Sequence, residues 1–156
     1  MKDLALRVVK KLAKKKLTLA TAESITGGGL ASAITDVPGS SDVFLGGVVT
    51  YSDKSKTKYL SIAPALLKKE SAVSEKVVVG MAEAIRKEFK SDFAIATTGV
   101  AGPGKAYGQK AGTVWIAIAS KKETVTVALL LGGDRAAVRN ATIESALATF
   151  ERILSS

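Results

Sequence analysis

The sequence predicts an α/β fold: a three-layer α/β/α sandwich around a mixed, mostly parallel sheet of about five or six strands. Two observations carry this prediction. Apolar, β-branched segments alternate with segments of helical periodicity through most of the chain. Two further strand patterns then follow, separated only by a short polar turn. Alternating strands and helices form covered parallel sheets, whereas a short turn makes its two strands antiparallel.

Five segments have the apolar and β-branched composition of strands. The predicted strands cover residues 17–22, 44–51, 92–97, 113–119 and 124–131. The last two flank the polar turn 120–123, so we expect them to form an antiparallel hairpin.

Helical periodicity accounts for the segments between the strands. The predicted helices cover residues 1–16, 26–35, 54–61, 64–70, 74–89 and 135–154. In the first helix Leu4, Val8 and Leu12 recur at helical spacing among lysines. Ser74 and Asp134 stand at the starts of the last two helices, where serine and aspartate are favoured N-caps.

Composition narrows the possible chemistry. The chain has 156 residues, 47% of them hydrophobic, which fits one domain over residues 1–156 with a sizeable core. It contains no cysteine and no histidine. Disulfides, thiolate nucleophiles, Ser-His-Asp triads and His- or Cys-ligated metals are therefore excluded. A general base must come from Lys, Asp, Glu or Tyr, and we expect no cofactor and no metal.

Charge and hydropathy bear on partners and location. The net charge is +9, which is typical either of an anionic partner or of a solvated, lysine-rich surface. The lysines occur in scattered pairs and triplets with little aromatic interleaving, so a nucleic-acid platform is disfavoured. The N-terminal segment 1–16 has no unbroken apolar stretch of signal-peptide length, and no stretch of the chain is long enough to span a membrane. We therefore expect a cytoplasmic protein without membrane association.

Three glycine- or serine-rich loops follow predicted strands, at residues 23–29, 51–56 and 98–104. Ligands in α/β sheets bind beyond the carboxyl ends of the parallel strands, so we expect these loops to converge. In the first loop Ser24 occupies a strand-to-helix turn. The amides of Thr26, Gly27 and Gly28 there are available to bind a phosphate or an oxyanion. The alternative is that Ser24 only caps the helix.

The other two loops and the last helix offer partner groups. A serine nucleophile without histidine needs another base, and a desolvated lysine can serve. Spacing alone does not choose between Lys54 and Lys56, and either is also compatible with a solvated surface. The loop that begins at Thr98 and Gly99 can wrap a substrate or form an ordinary turn. Arg135 and Arg139 share one helix face, suited to an anion or exposed to solvent.

These segments together resemble the CinA C-terminal domain family, whose activity is nicotinamide-nucleotide amidase. The matching motifs occur in family order along nearly the whole chain. They are LATAESITGG (19–28), PGSS (38–41), VTYS (49–52) with Lys56, AVSE (72–75), TGVAGPG (98–104), GTVW (112–115), and GDR (133–135) with Val138 and Arg139. The family commonly has cysteine where Ile25 stands. The loop after Gly104 lacks the family's Lys-Pro-Val ending.

The resemblance implies a metal-free serine–lysine hydrolase that converts nicotinamide mononucleotide to nicotinate mononucleotide and ammonia. Ser24 corresponds to the family's serine, Lys56 to its lysine and Tyr51 to the tyrosine beside the site. We expect Lys56 to accept the Ser24 proton, directly or through Tyr51.

Further groups follow as expectations for substrate binding. The oxyanion is expected at amides within residues 26–28 or in the Gly99 loop. We expect the substrate phosphate at Ser40, Ser41 or Arg139.

Two other functions stay open from the sequence. One is a non-catalytic nucleotide-binding or regulatory module, which keeps the glycine loops but needs no particular lysine. The other is a nucleic-acid-binding protein, suggested by the net charge and by the family's association with competence and DNA damage. We also expect a homo-oligomer, a dimer, because small α/β enzymes often share edges or helices.

Overall fold

In the computed structural model, which describes residues 1–156, a five-stranded sheet carries helices on both faces. The strands are β1 (Leu19–Glu23), β2 (Phe44–Val49), β3 (Phe93–Gly99), β4 (Thr113–Ala119) and β5 (Thr124–Leu130). The helices are α1 (Lys2–Lys15), α2 (Gly29–Thr35), α3 (Asp53–Leu60), α4 (Pro64–Glu70), α5 (Glu75–Phe89) and α6 (Arg135–Ser155), with a 3-10 turn at Ser40–Asp42. None of the helices is long and apolar enough to cross a membrane.

The strand order is β2-β1-β3-β4-β5. Strand β1 pairs in parallel with β2 and β3, whereas β4 runs antiparallel to both β3 and β5. Four strands therefore point the same way and only β4 is reversed. The predicted mixed, mostly parallel sandwich is confirmed. The carboxyl ends of β1, β2 and β3 lie at one edge of the sheet, and the loops that follow them begin there.

The two faces of the sheet differ in side-chain size. Large residues such as Leu19, Ile95 and Ile116 pack on one face beneath α1, α2 and α6. The other face is built from alanines, and α5 packs against it. These alanines are Ala20, Ala22, Ala94, Ala96, Ala117 and Ala119. Side chains alternate between faces along a strand, so the same short segments supply both surfaces. The result is two buried cores, one on each side of a central layer.

Two predicted boundaries near the site move for identifiable reasons. Helix α2 begins at Gly29 rather than Thr26, because Gly27 and Gly28 adopt positive φ values of 57° and 95° and form a turn. Strand β3 continues through Thr98 and Gly99, which pair with β4, so these two residues belong to the sheet and not to the glycine loop. The predicted N-caps are confirmed: the Ser74 and Asp134 side chains accept hydrogen bonds from backbone amides of α5 and α6.

Gly47→Ala is expected to lower the free energy of unfolding by roughly 1–3 kcal/mol, as forced overpacking does. A Cβ at Gly47 would lie 2.6 Å from the backbone oxygen of Thr21 on β1, which cannot move without disturbing the sheet. Urea unfolding measures the loss. Gly132→Ala is the matched control, since nothing lies within 4 Å of its added Cβ. Equal stability of the two variants would contradict the tight approach of β1 and β2.

Candidate active site

Ser24 lies directly beyond the carboxyl end of β1. Its amide donates a hydrogen bond to the carbonyl of Thr97 on β3, at 3.0 Å, and its carbonyl accepts one from Gly27, at 3.1 Å. The residue is 8% exposed, so only a small part of it reaches solvent. The backbone is therefore held from two sides, by the neighbouring strand and by the glycine turn.

Lys56 reaches Ser24 from the first turns of α3. This helix begins in a capping box in which the side chains of Ser52 and Ser55 each bond the other's backbone amide. The Lys56 side chain is entirely buried. Its Nζ donates to Ser24 Oγ at 2.9 Å and to the Thr50 carbonyl at 2.7 Å. Lys54 is exposed and lines a separate surface groove, so the structure distinguishes the two lysines that spacing left equivalent.

The surroundings of Lys56 favour a neutral amine. Burial lowers the pKa of Lys56 below its ordinary value of 10.5, and the charge of Asp53 only partly opposes this shift. None of its hydrogen-bond partners is a carboxylate. A neutral amine carries a lone pair that can accept the Ser24 hydroxyl proton, while its N–H still donates to Thr50. The pair has the geometry required of a nucleophile and its base.

A cleft of about 200 Å³ opens over Ser24. Ser24 and Ile25 border it on one side, together with Tyr51 and Arg135. The rest of its lining is residues 99–107, which comprise the end of β3 and the glycine loop. Residues from the loops after β1, β2 and β3 thus converge on one cleft, as predicted.

Arg135 bridges two walls of the cleft. Its Nη1 donates to the Gly102 carbonyl at 2.7 Å and its Nη2 to Tyr51 Oη at 2.8 Å. Tyr51 makes no hydrogen bond to Ser24 or Lys56, so this geometry offers no path through Tyr51 between those two side chains. Arg135 is the cleft-lining arginine of the predicted pair. Its spacing placed it beside Arg139, but no pattern in the sequence indicated which of the two would face the cleft.

The Arg139 side chain donates hydrogen bonds to the backbone of the turn that follows Ser24. Its Nε donates to the Ile25 carbonyl at 3.2 Å and its Nη2 to the Thr26 carbonyl at 3.0 Å. It does not line the cleft. In this arrangement the Arg139 guanidinium supports the backbone of the turn. Its contacts do not provide the phosphate-binding role that was expected for it.

Amides in the first turn of α2 are already bound by a carboxylate. Glu23 is buried and accepts hydrogen bonds from the amides of Leu30 and Ala31, at 2.8 and 3.1 Å. Thr26 Oγ1 also donates to it, at 2.6 Å. A carboxylate at a helix N-terminus satisfies the free amides and is favoured by the helix dipole. The first turn of α2 is therefore closed to substrate. Of the predicted amides of Thr26, Gly27 and Gly28, that of Gly27 donates to the Ser24 carbonyl, and none donates to Glu23.

Most of the other predicted binding residues do not line the cleft and instead stabilise the structure around it. Thr26 Oγ1 lies 2.8 Å from Thr97 Oγ1 in the interior, and the Thr98 hydroxyl donates to the Ala72 carbonyl. Neither threonine reaches the cleft. Gly27 and Gly28 shape the turn behind Ser24, and of the predicted binding set only Gly99 lines the cleft.

The amide of Ile25 was not singled out in the sequence, yet it is a candidate oxyanion donor. Ile25 follows Ser24 and borders the cleft, and its N–H makes no hydrogen bond within the chain. In many serine hydrolases the amide after the nucleophile supplies part of the oxyanion hole. The only sequence signal for it is adjacency to Ser24.

Ser40 and Ser41 lie at the opposite edge of the sheet. They form the 3-10 turn just before Phe44, where β2 begins, and Phe44 pairs with Leu19 at the start of β1. Ser24 follows the far end of β1, about five residues or roughly 17 Å along the strand direction. One bound substrate cannot span that distance within a single chain and still react at Ser24. Their place in the fold removes both serines from the candidate site of this chain.

The fold and the site together define an α/β domain with a buried serine–lysine pair at the carboxyl edge of its sheet. The model of the CinA C-terminal domain matches residues 1–154. The chain belongs to the CinA C-terminal domain family.

Relatives and solved structures agree with this assignment. A CinA-like protein from Akkermansia muciniphila is 47% identical over 143 residues, which is 90% of this chain and 34% of the relative. A competence-damage inducible protein from Desulforudis audaxviator is 44% identical over 92% of this chain and 35% of its own length. The chain thus spans about a third of the length of the curated relatives it matches.

Crystal structures of CinA superfamily proteins have the same fold. One from Klebsiella pneumoniae superposes with a TM-score of 0.96 at 35% identity, covering 99% of this chain and 97% of that chain. One from Escherichia coli has a TM-score of 0.93 at 35% identity, covering 99% and 90%.

Proposed function

We propose that this chain is an amidohydrolase that converts nicotinamide mononucleotide to nicotinate mononucleotide and ammonia through an acyl-enzyme on Ser24. The observation that carries the proposal is the 2.9 Å contact between Lys56 Nζ and Ser24 Oγ, made by a lysine with no exposed surface. Burial lowers the pKa of Lys56, which favours the neutral amine that a base requires, and the contact is within proton-transfer distance.

The reaction proceeds in two halves. Neutral Lys56 accepts the Ser24 proton while Ser24 Oγ attacks the carboxamide carbon, and the Ile25 amide stabilises the resulting oxyanion. The tetrahedral intermediate then breaks its C–N bond, and the Lys56 ammonium gives its proton to the departing nitrogen, which leaves as ammonia. In the second half Lys56 takes a proton from water, the hydroxide attacks the acyl ester, and Ser24 regains its proton as nicotinate mononucleotide is released.

One feature argues for an enzyme over a non-catalytic nucleotide-binding module. Burying a lysine amine is unfavourable, and titratable groups with shifted pKa values are concentrated at functional sites. A binding module gains nothing from placing such a group against a serine beneath a cleft. The choice of nicotinamide mononucleotide as substrate rests on the family resemblance. A cleft lined by Tyr51 and Arg135 is compatible with a planar amide that carries an anionic group.

The test is ammonia release from nicotinamide mononucleotide by the purified chain, followed by an ammonia assay and by mass spectrometry of the product in ¹⁸O-labelled water. We expect equal amounts of ammonia and nicotinate mononucleotide, with one ¹⁸O in the new carboxylate. Thermal stabilisation by the nucleotide without turnover would instead favour the binding module. Salt-dependent binding to duplex DNA, with no ammonia release, would favour the nucleic-acid role.

A further inference from the structure

Residues 105–109 form a tight hairpin at the mouth of the cleft. Ala106 and Gln109 exchange both backbone hydrogen bonds, at 3.0 and 2.9 Å. The two residues between them, Tyr107 and Gly108, have φ values of 53° and 71°. Turns of this kind need positive φ at both central positions and are usually made by asparagine or aspartate followed by glycine. Tyrosine in the left-handed region is uncommon, so the turn places an aromatic ring where local conformational preference would not.

The second strand of this hairpin is anchored to the body of the domain. Gln109 Nε2 donates to the Val73 carbonyl, ahead of α5, at 2.6 Å. At the base of the loop the Gly112 amide donates to the Val100 carbonyl at 2.7 Å. The loop that carries Tyr107 is therefore held on both sides of this residue, which places Tyr107 at the cleft.

The Tyr107 ring lines the cleft together with Tyr51, so two of the three tyrosines of the chain border one site. They are 48% and 55% exposed, and neither ring stacks on another aromatic side chain. Burial, followed by the proximity of Asp53 and Tyr51, raises the pKa of Tyr107, so its phenol is neutral. Unpartnered, half-exposed aromatic faces beside a nucleophile offer a surface for a planar ring.

We propose that Tyr107 is a specificity-determining residue whose ring packs against the aromatic ring of an amide substrate while the carboxamide lies at Ser24. The cleft then prefers aromatic amides to aliphatic ones. This inference rests on the proposed function, because it assigns the ring-binding part of the same site. It assigns Tyr107 no role in the bond-breaking steps.

Two substitutions separate the ring from the turn. Tyr107→Asn removes the ring but keeps a residue that accepts positive φ, so the hairpin is retained. Tyr107→Phe keeps the ring and removes the hydroxyl. With nicotinamide mononucleotide we expect Tyr107→Asn to raise KM about tenfold with kcat changed less than about twofold, the size of one lost aromatic contact. Tyr107→Phe should stay within about twofold of the unsubstituted protein for both constants.

A binding experiment in the Ser24→Ala background makes the outcome independent of turnover. Calorimetry compares nicotinamide mononucleotide with ribose 5-phosphate, which lacks the ring. Tyr107→Asn should weaken the first about tenfold and leave the second unchanged. Equal effects on both ligands, or no effect on either, would overturn the role of Tyr107. If Tyr107→Asn leaves turnover unchanged, the role of Tyr107 is wrong and the amidase activity still stands. Ring-dependent binding without turnover in the unsubstituted protein defeats the amidase alone.

Discussion

Ser24→Ala is expected to lower kcat for ammonia release from nicotinamide mononucleotide by on the order of 10⁴-fold or more. The substitution removes the only oxygen that Lys56 Nζ contacts within the cleft, so no acyl-enzyme can form. Residual turnover would come from water positioned by the remaining groups, which gives a much smaller acceleration. An ammonia assay measures kcat, and mass spectrometry after rapid quenching shows whether the acyl adduct is lost.

The control for this substitution is Ser41→Ala. Ser41 is an exposed serine on the 3-10 turn at the other edge of the sheet, so its removal should leave kcat unchanged. Both variants should unfold at nearly the same denaturant concentration. We expect Lys56 to keep its hydrogen bond to the Thr50 carbonyl when the Ser24 hydroxyl is absent. Ser24→Ala that retains more than about a hundredth of the activity would exclude Ser24 as the nucleophile.

The periodicity of apolar residues was sufficient to predict the fold, because the pattern of each helix and strand is local. The alternation in β1 and β3 puts large residues on one face and alanines on the other, and the spacing in α1 and α5 marks their buried sides. Boundaries moved where a distant group completes the local structure. Strand β2 ends at Val49 rather than Tyr51, since the Thr50 carbonyl turns toward Lys56.

The candidate site was only partly predictable, because its contacts join segments far apart in the chain. Ser24 and Lys56 are 32 residues apart, and Arg135 is 84 residues from Tyr51. Local spacing left Lys54 and Lys56 equivalent, and the family resemblance chose Lys56. The function of Glu23 as the cap of α2 was missed because the sequence shows a helix end rich in free amides, not what fills it. Which group binds the amides of a helix end is decided by tertiary packing.

Lys56→Met is expected to reduce activity by about as much as the loss of Ser24, on the order of 10³- to 10⁵-fold in kcat. Methionine fills the volume of the lysine stem but has no lone pair basic enough to accept the Ser24 proton. Lys56→Arg should also be inactive, because arginine stays protonated. Lys54→Met is the control, since Lys54 is exposed and lies outside the cleft. Full activity of Lys56→Met would leave the chain without a base for its nucleophile.

The Lys56→Met variant also tests the protonation state of Lys56, through the pH dependence of the free energy of unfolding. The folded pKa of Lys56 lies below its ordinary value of 10.5, so between the two values the unfolded chain binds a proton that the folded chain does not. The free energy of unfolding contributed by this group therefore rises with pH across that window, by up to about 1.4 kcal/mol per pH unit. This contribution to the free energy of unfolding has its lowest value at and below the pKa of Lys56 in the folded chain.

Lys56→Met lacks this term. Urea unfolding between about pH 7 and pH 10 should therefore show the unsubstituted protein gaining stability relative to the variant as pH rises. The rate should follow the same titration, with kcat/KM increasing with pH through the folded pKa of Lys56, because only the neutral amine can take the Ser24 proton. Parallel stability profiles for the two proteins would mean that Lys56 is protonated in the folded state. The 2.9 Å contact with Ser24 would then be a hydrogen bond from an ammonium group, which cannot act as the base.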